Sequence, residues 1–151
     1  MTKFQPRQLI LSQLRQGASA HGLALTCGFA LALSLFPLLG TTTLLCLLFG
    51  TIFRLNQPVL QALNYLLFPL QIIFIPIFLR IGESILNVPH LTIHVEQFAR
   101  QMAAEWQLFL QQYGMAALHA ILAWLLLAPV ASGVLYFVLR PALENLKRRM
   151  V

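Results

Sequence analysis

Side chains able to do chemistry are few in this sequence, and the densest group flanks one apolar run. Thr42 and Thr43 stand just after Pro37-Leu38-Leu39-Gly40, and Arg54-Leu55-Asn56-Gln57-Pro58 closes the run that follows. Hydroxyls, an amide and a guanidinium offer donors and acceptors that can hold a polar or anionic group. Arg54, Asn56, Thr42 and Thr43 are the candidate binding residues on that ground. Catalysis has far less to work with. The four carboxylates are all Glu, with no Asp anywhere, which removes most paired-acid, Mg²⁺ and triad arrangements. No enzyme activity and no cofactor are expected.

His90 and His94 have the four-residue spacing of a metal pair on one helix face, but no Cys, Asp or HExxH context accompanies them. They read as interfacial histidines, and no metal is expected. His21 and His119 lie in or beside apolar tracts and read as packing residues rather than a proton relay. Cys27 and Cys46 lack a CxxC or Cys/His cluster and read as small apolar residues. Gly28, Gly40 and Gly50 are too far apart to form a phosphate loop.

The elements that must position these residues are built for lipid. Hydrophobic residues make up 59% of the 151-residue chain, charged residues 9%, and mean hydropathy is +0.79. A water-soluble domain carries about a quarter charged residues. No Asp, Glu, Lys or Arg occurs in residues 17–53, 55–79 or 106–139, and tracts of that length mark bilayer-spanning helices. The expected fold is an all-α integral membrane helical bundle with Pro/Gly-broken helices, re-entrant in one reading, and amphipathic interfacial helices. The net charge of +6 sits at the chain ends: Lys3, Arg7 and Arg15 before the first tract, Arg140, Lys147, Arg148 and Arg149 after the last. That placement fits topology and anionic headgroups, not base recognition, so no nucleic-acid partner is expected.

In chain order, residues 1–17 form a basic amphipathic segment, either an interfacial helix or a solvated leader. The apolar region after Leu23 outruns a signal-peptide core, and no A-x-A site follows it. Residues 18–82 make a broken-helix membrane core. Its first tract, 18–36, is about 28 Å long as helix, its second, 41–53, only about 20 Å. Its third, 59–80, is interrupted by Pro69 and Pro76. Pro37, Gly40, Pro58, Pro69 and Gly82 are the expected structural breaks. Arg54 either snorkels at an interface or faces a lipid phosphate or acidic partner. Residues 83–113 form an amphipathic region, with a helix from about Leu91 to Gln112. Val95, Phe98, Met102, Trp106 and Phe109 share one face of it, and Glu96 pairs with Arg100. Residues 114–140 form a transmembrane helix bent at Pro129 and Ser132-Gly133, and 141–151 a basic tail.

Positive charge concentrates at both ends, which places both termini in the cytoplasm and requires an even number of crossings. Four crossings (18–36, 41–54, 59–80, 115–139) satisfy this, as do two crossings with one or more re-entrant hairpins. An offset of thirty-two residues also aligns Phe36 with Phe68, Pro37 with Pro69 and Gly50 with Gly82. This is either a duplicated broken-helix unit of the kind that builds translocation sites or repetition within a Leu/Phe/Pro-rich tract.

The run Pro37-x-x-Gly40, Thr43, an aliphatic stretch and Arg54-x-Asn56-x-Pro58 resembles the signature of a bacterial membrane family called domain of unknown function 2062. Pro69 and Gly82 resemble that family's Asn-Pro and terminal Gly positions, with Phe68 in place of the Asn and Thr42 in place of a usual Gln. The resemblance spans residues 20–86 and implies a multi-pass protein of the bacterial inner membrane. It also points toward the cell envelope, since some relatives are joined to glycosyltransferase-like domains. The expected partner is the lipid bilayer, with a homo-oligomer or an envelope enzyme beside it. Two roles fit: small-molecule or lipid transport and handling, or an accessory module that assists envelope glycan or lipid enzymes.

Overall fold

In the computed structural model, residues 19–91 and 106–148 are described. The basic N-terminal segment, His94, the Glu96–Arg100 pair and the Val95, Phe98 and Met102 positions lie outside the described residues. Within them the chain is all-α, with four helices and no strand. These are α1 (Ala20–Ser34), α2 (Thr42–Ile52), α3 (Gln57–Ile85) and α4 (Trp106–Arg148).

Local chemistry sets the ends of the first three helices. The Ser19 hydroxyl accepts the Gly22 amide at 2.9 Å and caps the start of α1. Pro37 disfavours helix at the residue before it, so α1 stops at Ser34 and the chain turns. Gly40 completes that turn at φ +83°, a left-handed conformation that residues with a Cβ adopt at a cost. α2 ends in a Schellman arrangement: the Arg54 amide donates to the Thr51 carbonyl at 3.3 Å and the Leu55 amide to the Gly50 carbonyl at 2.8 Å. Arg54 takes the left-handed position at φ 52°, where glycine is usual. Asn56 then caps α3, its Oδ1 accepting the Val59 amide at 3.2 Å. Pro58 falls in the first turn of α3, where a missing donor costs nothing. It opens a helix rather than breaking one.

α1 and α2 form an antiparallel hairpin. Cys46 packs with Ala30 and Leu33, the Phe53 ring lies 4.8 Å from that of Phe29, and the Asn56 amide reaches the Thr26 hydroxyl at 3.1 Å. α3 then runs alongside α1 in the same direction, and α4 returns against both. At one end of the bundle Ala20, Leu23 and Ala24 pack with Val59 and Leu143. Toward the other, Leu35 packs with Phe78, Leu79, Ala120 and Ala123.

Two helices are long and apolar enough to cross a membrane, Gln57–Ile85 and the Tyr113–Arg148 part of α4. At 15 and 11 residues, α1 and α2 are about 22 and 16 Å long, short of a hydrocarbon core of roughly 30 Å.

Two expectations about α3 are corrected. Pro69 and Pro76 do not interrupt the third tract, because α3 is one helix of 29 residues that contains both. Pro69 is exposed, while Leu60 and Asn64 before it and Gln71 and Phe78 after it are buried. Anchorage on both sides keeps the axis continuous across the missing hydrogen bond. Of the two readings of the thirty-two-residue offset, this favours repetition within a Leu/Phe/Pro-rich tract: Pro37 sits in a turn, Pro69 inside a helix. α4 runs unbroken from Trp106 to Arg148 through Pro129 and Pro141.

Gly82 is likewise not a break. It lies inside α3 at the crossing with α4, where a Cβ would collide with the His119 carbonyl. Absence of a side chain there permits backbone-to-backbone approach.

Candidate functional site

The four candidate binding residues do not converge. Thr42 and Thr43 begin α2, whereas Arg54 and Asn56 follow its far end, about 16 Å away along the helix. Thr42 is buried. The Thr43 hydroxyl accepts the Asn64 side-chain amide at 3.3 Å, and its carbonyl accepts the Gln61 amide at 3.4 Å, so Thr43 ties α2 to α3. Asn56 is committed as a helix cap and to Thr26, whose own hydroxyl donates to the Gly22 carbonyl at 2.8 Å. Arg54 is exposed at the Schellman turn. The polar atoms of Thr43 and Asn56 stitch the hairpin together and to α3.

The hairpin tip is held by two side chains that sequence reasoning passed over. Gln71, 1% exposed, donates from Nε2 to the Phe36 carbonyl at 2.8 Å. Trp124 of α4 donates from Nε1 to the Ala32 carbonyl at 2.8 Å, and the Phe36 ring meets its indole edge-on at 4.9 Å. With Leu35 and Phe36 amides on the Leu31 and Leu33 carbonyls, each at 3.3 Å, three of the last four carbonyls of α1 are satisfied. Gln71 is the middle residue of α3. The turn is thus secured beside the centre of the longest apolar run in the hairpin's neighbourhood, where an unpaired carbonyl would be most costly. The lone glutamine at the middle of an otherwise apolar stretch, residues 66–79, was the available signal.

A second polar knot lies at the end of α3. Glu83, 1% exposed, accepts from Arg80 at 2.9 Å, from the Leu91 amide at 2.9 Å and pairs with His90 Nδ1 at 2.8 Å. It straps the chain after α3 back onto the helix. Asn87 makes the turn at φ 52°. No group of three His, Cys, Asp or Glu side chains fit to hold a metal occurs among the described residues, and Cys27 and Cys46 are free thiols in the interior.

What the fold does leave open is a groove of about 400 Å³ between α1 and α4, walled on one side by Phe49 of α2. Its floor is small: Gly28 and Ala32 on α1, Ala128, Ser132 and Gly133 on α4. Leu25, Phe29, Leu33, Trp124 and Pro129 supply apolar walls, so almost no polar surface faces the space. Small side chains keep the two helices close at Gly28, where a Cβ would stand 3.1 Å from the Ser132 carbonyl. The Ser132 hydroxyl is buried there with no partner among the described residues.

Tyr136 closes the groove at one end. Its hydroxyl lies 2.8 Å from His21 Nδ1 and accepts from Arg140 Nη1 at 3.3 Å, and its ring meets the His21 imidazole edge-on at 5.7 Å. Arg140 also donates from Nε to Glu144 at 2.9 Å. The groove itself is apolar along its length, and the polar cluster of His21, Arg140 and Glu144 lies past Tyr136, outside its lining. The sequence shows the small residues on both helices, but not that these two faces meet.

A family model described as an uncharacterized protein conserved in bacteria (DUF2062) matches residues 5–150. No curated protein and no solved structure matches the chain.

Proposed function

The chain belongs to the conserved bacterial family DUF2062, and on that footing we propose that it is a lipid-handling protein of the inner membrane that takes an acyl chain into the α1–α4 groove. α3 and α4 cross the bilayer and the α1–α2 hairpin enters it from one side only. Support for this topology comes from helix lengths and from Ala20 packing beside Leu143, which brings the start of α1 and the end of α4 to one end of the bundle. Arg140, Lys147 and Arg148 lie at that end, and by the positive-inside rule their charge supports a cytoplasmic side for it. The hairpin tip then stands at mid-depth, with Gln71 and Trp124 satisfying carbonyls that lipid cannot.

The observation that carries the reading is the groove. A cavity of about 400 Å³ lined by Phe29, Phe49, Trp124 and a floor of Gly and Ala falls in the size range of small-molecule sites and is far more apolar than most. From Trp124 to Tyr136 it follows α4 for about 18 Å, close to half of a ~30 Å hydrocarbon core. One leaflet's acyl chain fits that length. The role proposed is binding: no carboxylate or histidine is among the described residues that line the groove.

Native mass spectrometry of the detergent-solubilised full chain tests this. The wild type retains about one lipid per chain after delipidating washes. Gly133→Leu places a side chain into the groove from a position with nothing within 4 Å of its Cβ, and loses that lipid at unchanged abundance. Equal retention by both proteins refutes the reading.

A further inference from the structure

We infer that the polar cluster just past the groove's Tyr136 end is a phosphate site, and that the lipid held there is an anionic glycerophospholipid with its headgroup at His21, Tyr136 and Arg140. The inference rests on the acyl-chain reading of the groove and adds the chemical class of its occupant.

Tyr136 joins the two halves: its ring lines the apolar space while its hydroxyl sits between His21 and Arg140. Arg140 uses Nε for Glu144 and Nη1 for Tyr136. A guanidinium carries five N–H donors, so three remain for a further acceptor. Its side chain is 50% exposed, reachable from the headgroup region. Glu144 does not neutralise this end, because Arg140, Lys147 and Arg148 against Glu144 leave a net charge of three minus one, +2. Lys147, Arg148 and Glu144 border a shallow recess beside Ala20 at the start of α1, extending the basic surface past the groove mouth.

One turn inside Tyr136, Ser132 lines the groove while its hydroxyl is buried with no partner among the described residues. Beyond Ser132 the lining turns wholly apolar. Donor-rich cation and hydrocarbon slot thus follow one another along α4 in the order of phosphate and chain in a phospholipid. Phosphate takes several charge-assisted hydrogen bonds from a guanidinium, which a neutral glycerol cannot match.

The test uses the full chain in dodecyl maltoside and two probes with the same photoactivatable acyl chain, phosphatidylglycerol and diacylglycerol. Phosphatidylglycerol is expected to label the peptide carrying residues 128–136 saturably and about tenfold more strongly than diacylglycerol at equal concentration, the ratio one strong charge-assisted contact gives. Arg140→Gln lowers phosphatidylglycerol labelling about tenfold and leaves diacylglycerol labelling unchanged, so the second probe also reports that the groove is intact. Arg140→Lys restores part of the loss. Equal labelling by both probes in the wild type overturns the phosphate site while leaving the acyl-chain reading standing. Saturable labelling by neither overturns the acyl-chain reading itself. A loss of both probes in Arg140→Gln assigns Arg140 a structural role and overturns the proposal. Stabilisation of the lipid-free protein by inorganic phosphate alone, with no preference between probes, makes a free anion the ligand and also overturns it.

Discussion

Gly82→Ala tests how α3 and α4 are held together. A Cβ at Gly82 would overlap the carbonyl group of His119 and lie 3.1 Å from its Cα. All three nearest atoms are backbone, so no rotamer change relieves the clash. Restoring ordinary contact parts the helices by about 1 Å, and a gap of that size forfeits a quarter to a half of the dispersion energy of the atoms along it. Phe78, Leu79, Ala120 and Ala123, buried around the same crossing, all lose contact. Overpacking costs roughly 1–3 kcal/mol, and a rigid backbone puts this case near 3. Exchanging Gly for Ala in a helix returns about 1 kcal/mol, so the net destabilisation is about 2 kcal/mol. Gly114→Ala supplies the opposite sign. It lies in α4 with nothing within 4 Å of its Cβ, and only the helix-propensity gain of up to about 1 kcal/mol remains. The two variants differ by about 3 kcal/mol, roughly a hundredfold in the unfolding equilibrium. Reversible unfolding by SDS in mixed micelles, followed by helical circular dichroism, measures both. A Gly82→Ala protein as stable as wild type, or two variants that shift the same way, refutes the close crossing at His119.

Four further outcomes follow from the hairpin and its ends. Gln71→Leu strips the Phe36 carbonyl of its donor and costs about 1–3 kcal/mol in the same assay; no change means that the carbonyl has another partner. Gly40→Ala forces a Cβ into φ +83° and costs about 1–2 kcal/mol despite the open space around it, with Gly40→Asn milder; equal stability of all three contradicts the left-handed turn. Arg54→Gly raises stability by up to about 1 kcal/mol by releasing φ 52°, whereas Asn56→Ala lowers it by about 1 kcal/mol through the lost cap; parallel loss of function from both at wild-type abundance would restore a binding role for that turn. On a background lacking Cys27 and Cys46, single cysteines at residues 5 and 148 resist a membrane-impermeant maleimide in intact cells and react after permeabilisation; labelling of either from outside breaks the shared cytoplasmic placement of the termini.

The sequence made the break after α1 legible because three independent effects coincide there. Pro37 stops a helix at its N-terminal side, Gly40 admits a left-handed turn, and Thr41-Thr42-Thr43 ends the apolar run. The second expected break failed because Pro69 acts alone. No glycine or polar cluster follows it within the next turn, and buried neighbours on both sides hold one axis. Local breaker signals decide a boundary when they accumulate and yield to packing when they do not. The scatter of the candidate binding residues has a related cause. Thr42, Thr43, Arg54 and Asn56 drew notice as polar residues in an apolar context, but polar atoms there are first needed for the backbone groups that the hairpin exposes.

That priority also explains why the groove escaped the sequence. In a chain with so few polar side chains, those near breaks are consumed by caps and cross-links: Asn56 on α3, Asn64 on Thr43, Gln71 on Phe36, Glu83 on Leu91. A binding cavity is then made by what is missing, namely the side-chain volume at Gly28, Ala32, Ala128 and Gly133. Small residues at four-residue spacing ordinarily let two helices close completely. Here Phe49, Phe29 and Trp124 wall the space instead, and Trp124 is fixed by its bond to the Ala32 carbonyl. The indole that seals a carbonyl of α1 therefore also sets the inner end of the groove. Trp124→Phe keeps most of the apolar wall but removes that bond, so it should loosen the hairpin and the groove together. A variant that shed the bound lipid while the hairpin stayed as stable as before would show that the two are built independently.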